Sequence, residues 1–118
     1  MADKLKVYLF KSRTIDLYIE VLAYILEEND AQNLIISGYD CGKIVKKLRG
    51  DSDYEYSYIL NRKNKDLLIQ RINEKGNSIS SDVELLNWIK ENFYNNQSFS
   101  AFKSFVEREG IEGKFSVW

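Results

Sequence analysis

Gly50-Asp51-Ser52-Asp53-Tyr54-Glu55-Tyr56-Ser57-Tyr58-Ile59-Leu60 reads as a β-strand with two unlike faces. Strand side chains alternate, so Tyr54, Tyr56, Tyr58 and Leu60 share one side, and Asp53, Glu55 and Ser57 share the other. Burying the acidic row without partners would be costly. The tyrosine row is therefore expected to face the packed side of a sheet. The acidic row is expected to face water or a partner.

The neighbouring segments complete a domain around this strand. Upstream, Leu5, Val7 and Leu9 alternate with Lys6, Tyr8 and Phe10, which predicts a central strand over 5–11. Ile15, Tyr18, Ile19, Leu22, Ile25 and Leu26 recur at helical spacing behind a Thr14 cap, which predicts a helix ending near Asn29-Asp30. Leu34-Ile35-Ile36 predicts a short strand over 33–37, broken by Gly38. Tyr39-Asp40-Cys41-Gly42 then forms a turn, with Asp40 as N-cap of a short helix over 43–49 that stops at Gly50.

Downstream, Asn64 is the expected cap of a helix carrying Leu67, Leu68 and Ile72 and ending at Gly76. Ser81-Asp82-Val83-Glu84 has the spacing of a capping box. The helix it opens sets Val83, Leu86, Ile89 and Phe93 on a stripe that Leu85 and Trp88 widen. A last helix starts at Ser98 or Ser100, buries Phe102, Phe105 and Val106, and ends at Gly110. Lys114 to Trp118 forms a terminal strand, with Phe115 and Val117 on one face. The order β-α-β-α-β-α-α-α-β predicts a single α+β domain over residues 1–118. It would be a small mixed sheet of about four strands with helices mainly on one face.

Composition narrows the chemistry. The chain has 118 residues, 44% apolar and 30% charged, with 17 basic against 18 acidic side chains and a net charge of −1. That balance makes a nucleic-acid partner unlikely. No apolar run reaches the roughly 18 residues of a membrane span. The first residues, Met1-Ala2-Asp3-Lys4-Leu5-Lys6, lack the apolar centre of a signal peptide, so a cytoplasmic location is expected. The chain contains no histidine, which removes imidazole catalysis and imidazole metal ligation. Its single cysteine, Cys41, excludes an internal disulfide and Cys-rich zinc sites.

Asp51, Asp53 and Glu55 stand at alternate positions and can offer oxygen to Mg²⁺ or Ca²⁺. An EF-hand beginning at Asp51 fails, because Tyr56 takes the place of its glycine and Arg62 that of its final glutamate. A carboxylate-based metal-dependent hydrolase built on Asp40, Asp51, Asp53 and Glu55 is one alternative. A solvated sheet face is the plainer one. Gly38 to Gly42 lacks the Walker A ending and the dinucleotide-binding fingerprint, and a simple turn explains it. Without histidine, Cys41 is expected to be a structural thiol. Lys43, Lys46, Lys47 and Arg49, and likewise Arg62, Lys63 and Lys65, are read as solvated basic groups.

The most distinctive stretches are Gly38-Tyr39-Asp40-Cys41-Gly42, Gly50 to Tyr56 and the terminal Phe115 to Trp118. In size, acidity and missing catalytic residues the whole chain resembles the immunity proteins that neutralise toxins used in bacterial competition. The resemblance lies in overall character, so it assigns no residue a role. It implies a non-enzymatic protein-binding module, with no cofactor, facing a protein partner such as a basic toxin domain. From the residues themselves, the candidate contact set is Tyr39, Asp40, Asp51, Asp53, Tyr54, Glu55 and Tyr56. A regulatory or scaffolding domain is the other binding role, and pairing of two copies through the terminal strand would give a homodimer.

Overall fold

The computed structural model describes residues 5–15, 17–28, 31–42 and 53–117. The strands are β1 (Leu5–Arg13), β2 (Tyr18–Glu28), β3 (Ala31–Cys41), β4 (Asp53–Leu60) and β5 (Lys114–Val117). Between β4 and β5 lie α1 (Arg62–Glu74), α2 (Asp82–Asn92) and α3 (Ser98–Arg108). The sheet runs β1-β2-β3-β4-β5 in sequence order, and every neighbouring pair is antiparallel. The fold is α+β, as expected, but the sheet has five strands and is not mixed.

The main correction concerns residues 15–28, expected as a helix and found as β2. The helical pattern depended on Ile15, which is 97% exposed in the β1–β2 turn. Thr14 does not cap a helix. Its amide donates to the Leu17 carbonyl at 2.8 Å and closes that turn. The same segment also holds a period-two pattern: Ile19, Val21, Ala23 and Ile25 line one side, and Tyr18, Leu22, Tyr24 and Leu26 the other. β-branched and aromatic side chains on both faces suit a central strand.

A second correction concerns Gly38, which does not end β3. It sits opposite Tyr56 inside the β3–β4 ladder. A Cβ on Gly38 would lie 2.1 Å from the Tyr56 ring, so glycine leaves the room that ring fills. Asp40 accordingly belongs to β3 and caps no helix, and of the expected Tyr39–Gly42 turn only Gly42, at φ 134°, lies beyond the strand. The helix expected over 43–49, its stop at Gly50, and Asp51 lie outside the described residues.

The three helices of the described chain pack on one side of the sheet. Their buried residues Leu68, Ile72, Leu85, Leu86, Ile89, Phe102 and Val106 join Leu9, Val21, Ala23, Ile25, Leu34, Ile36, Tyr58 and Leu60 in one core. The helix starts follow their chemistry. Asn61, not Asn64, caps α1: its Oδ1 accepts the Asn64 amide at 2.9 Å. The Asn64 side chain instead donates to the Glu112 carbonyl at 2.8 Å, tying α1 to the α3–β5 connection. Ser81 caps α2 as expected, accepting the Glu84 amide at 3.2 Å. The Ser80 hydroxyl donates to the Glu84 carboxylate at 2.7 Å and holds its pKa below the ordinary range.

Val83, expected on the apolar stripe of α2, is half exposed, and Leu85 takes its place in the core. Trp88 and Phe93 of the α2 side meet Phe105 and Phe102 of α3 with ring centroids 5.5 to 5.9 Å apart. Gly76 and Gly110, at φ 101° and 75°, end α1 and α3 with backbone that glycine adopts without strain.

Candidate functional site

Register decides which side chains share a surface. On the helix side, Val21, Gly38, Tyr56 and Val117 form one row across β2 to β5, and Ile19, Asp40 and Tyr54 form the next across β2 to β4. On the other side the rows are Lys11-Glu20-Tyr39-Glu55 and Arg13-Tyr18-Cys41-Asp53. Beyond them come Tyr8-Leu22-Ser37-Ser57-Ser116 and Lys6-Tyr24-Ile35-Ile59-Lys114. None of the described helices lies over these rows.

The structure therefore divides the sequence-derived contact set. Tyr39 and Glu55 stand beside each other on the helix-free face, and Asp53 takes the register position opposite Cys41. Asp40, Tyr54 and Tyr56 fall on the helix side, and Asp51 lies outside the described residues. One flat partner cannot touch both groups at once. The four-carboxylate arrangement drawn from the sequence is also not assembled, since Asp40 and Glu55 occupy opposite faces. Among the described residues no three or more Asp, Glu or Cys side chains gather closely enough to hold a metal ion.

The orientation expected for β4 holds where the side chains are described. Tyr58 and Leu60 are buried under the helices, Tyr56 packs at the core margin, and Glu55 is exposed. Ser57 departs from it: though on Glu55's face, it is only 4% exposed. β4 is an inner strand, and Ser57 is paired between Ser37 and Ser116.

Sequence reading missed two members of the helix-free cluster, Tyr18 and Glu20, because both were assigned to a helix. The Tyr18 hydroxyl donates to the Glu20 carboxylate. That hydrogen bond is the main cause of the raised Tyr18 pKa. The Tyr18 ring meets the Tyr39 ring edge-on, with centroids 6.3 Å apart. Arg13 lies 5.1 Å over the other tyrosine ring of this pair, that of Tyr18. Lys11 lies 5.1 Å and Lys6 5.7 Å over Tyr8 on the edge strand. The result is a central strip of tyrosines and carboxylates, bordered along β1 by cations stacked on rings. Cys41, beside Tyr18, is half-buried and free of disulfide. Period-two alternation in 18–25 was the signal that would have found Tyr18 and Glu20.

On the helix side, Asp40, Tyr54 and Tyr56 line an open hollow of about 250 Å³ together with Phe99 and Phe115. Asn96 and Ser100 contribute polar groups at its rim. The Tyr56 hydroxyl donates to Asp40 Oδ1 at 3.4 Å. Burial first, and then the nearby Asp40 charge, push the Tyr56 pKa far above its ordinary value, so the hydroxyl stays a donor.

No helix among the described residues is long and apolar enough to cross a membrane. Comparison with protein-family models, with curated proteins and with solved structures gives no match for this chain.

Proposed function

We propose that this chain is a non-enzymatic binding protein of the immunity type. It neutralises a bacterial toxin in the cytoplasm by docking it against the helix-free face of the sheet. The observation that carries this reading is the cluster Tyr18, Glu20, Tyr39 and Glu55, in which two carboxylates flank two touching tyrosines on neighbouring strands. Tyrosine gives a large contact area at low conformational cost and keeps a polar tip for hydrogen bonding. The carboxylates attract a basic surface and speed its approach. The surface recognises by contact and turns nothing over.

The test is isothermal titration against the purified product of the reading frame immediately upstream. The expected result is nanomolar or tighter binding. The double reversal Glu20→Lys/Glu55→Lys should weaken it by more than about tenfold, as loss of a central contact does. Circular dichroism establishes that the variant folds. Equal affinity in the folded double variant would remove this face from the interaction, and absence of binding by the unaltered chain would remove that partner.

A further inference from the structure

The two edges of the sheet are unlike. Lys6, Lys11 and Arg13 stand exposed along β1, and a bulge interrupts its register between Tyr8 and Phe10. Charged side chains and bulges keep a free edge from pairing with a second sheet. β5 has only Lys114 in that role. Within the described sheet it pairs on one side only, with β4. Its helix-side residues Phe115 and Val117 are 47% and 45% exposed. The Phe115 ring meets Phe99 at 5.9 Å and Lys103 Nζ at 5.6 Å, yet nearly half of the residue is left in solvent.

Beside this strand lies a recess. Gly113, which precedes β5, offers no side chain, and a Cβ there would lie 2.3 Å from the Tyr58 ring. Gly113, Tyr58, Lys103, Glu107 and Phe115 line an open hollow of about 430 Å³. The Lys103 and Glu107 charges in its wall lie 3.1 Å apart and answer each other, so neither asks for a counter-charge.

An apolar knob and a recess on one edge make that edge complementary to itself. A two-fold axis through the Phe115 position pairs β5 with the same strand of a second copy, antiparallel and in one continuous sheet. In that register Phe115 faces the partner's Phe115. Val117 faces the partner's Gly113 and enters the recess, and Lys114 faces the partner's Ser116. Moving the axis one residue back sets Lys114 against the partner's Lys114, with like charges directly opposed. Moving it one residue forward sets Val117 against the partner's Phe115 and leaves the recess empty.

We propose that β5 is the seam of a symmetric homodimer of this chain, with Phe115 and Val117 as the knobs and the hollow beside Gly113 as the recess. Both helix layers then lie on one side of the joined sheet, and the helix-free face of each copy stays open. The proposal therefore does not rest on the toxin-docking reading.

The test is sedimentation velocity of the full-length chain from micromolar to millimolar concentration, which should show a reversible monomer–dimer equilibrium. Val117→Lys, at an exposed position, should weaken the dimer by about tenfold or more, as loss of a central contact does. Ser116 reads the register. Ser116→Glu sets a carboxylate opposite the partner's Lys114 on both sides of the axis and should tighten the dimer by about threefold or more. Ser116→Lys should weaken it by as much, and adding Lys114→Glu to Ser116→Lys should restore it. Circular dichroism establishes that each variant folds. A chain that stays monomeric throughout, or that assembles beyond the dimer without limit, would overturn the proposal. So would a dimer indifferent to Val117→Lys, or one that responds alike to both Ser116 substitutions.

Discussion

Gly38 and Tyr56 face each other across β3 and β4, and the pair is a single packing unit. Gly38→Ala places a methyl where the ring sits, and Phe99 hinders the ring from swinging aside. We expect a loss of about 1–3 kcal/mol in urea unfolding, the usual range for overpacking. Tyr56 also gives the molecule an alkaline limit. Its folded pKa is raised by burial, as are those of Tyr24 and Tyr58, whereas the unfolded groups titrate near the ordinary 10.0. Above that pH the unfolded chain binds fewer protons than the folded one, so stability falls as pH rises. It is fully present below about pH 10 and is lost above. Tyr56→Phe should flatten that fall, as read from urea midpoints on either side of pH 10. The orientation of Tyr56 was legible from alternation alone. Its partnership with Gly38 was not, because a strand glycine looks like a break until the ring opposite it is known.

Among the elements, α1 and α2 are joined by a buried ion pair that sequence reading had placed in solvent. Lys65, read as part of a solvated basic loop, is 2% exposed, and its Nζ lies 2.9 Å from Asp82 Oδ1 at the start of α2. Asp82→Ala leaves that cation buried without its partner and should cost about 3 kcal/mol. Lys65→Met removes the charge with its stem's volume largely kept and should cost less, which a pair of urea titrations decides. α1 starts at Asn61, one turn before the expected cap, so Lys65 lies within the helix and not in a loop. α2 was readable because its serine cap and apolar stripe agreed with each other, and α3 from its apolar stripe alone, since Gln97 stands at its start without a side-chain capping bond. β2 was not, because Ile19, Leu22, Ile25 and Leu26 satisfy helical and strand spacing together. Only the exposure of Ile15 and the apolar character of both strand faces separate the two. That single element hid Tyr18 and Glu20, and with them half of the helix-free cluster.

For the whole molecule, the α+β class was legible from the chain, while the strand order was not. Once β2 is a strand, the first strands need only tight reversals, and no crossover arises to make the sheet mixed. The acidic ribbon of β4 was visible in the sequence. Its companions on β1 and β2 depended on register, which no local pattern supplies. The meander has one further consequence, for mechanics. With five antiparallel strands in sequence order, β1 and β5 are the two edges and run in the same direction. A force on the two ends therefore loads each edge strand lengthwise, straining its cross-strand hydrogen bonds together instead of peeling them one by one. β5 is held through four paired positions and β1 through eight, so β5 should slide free first. Single-molecule stretching should show an early, low-force step as Lys114–Val117 leaves β4, followed by a stronger event as the remaining sheet gives way. A trace with one rupture would mean that the helices and the last strand yield as one body.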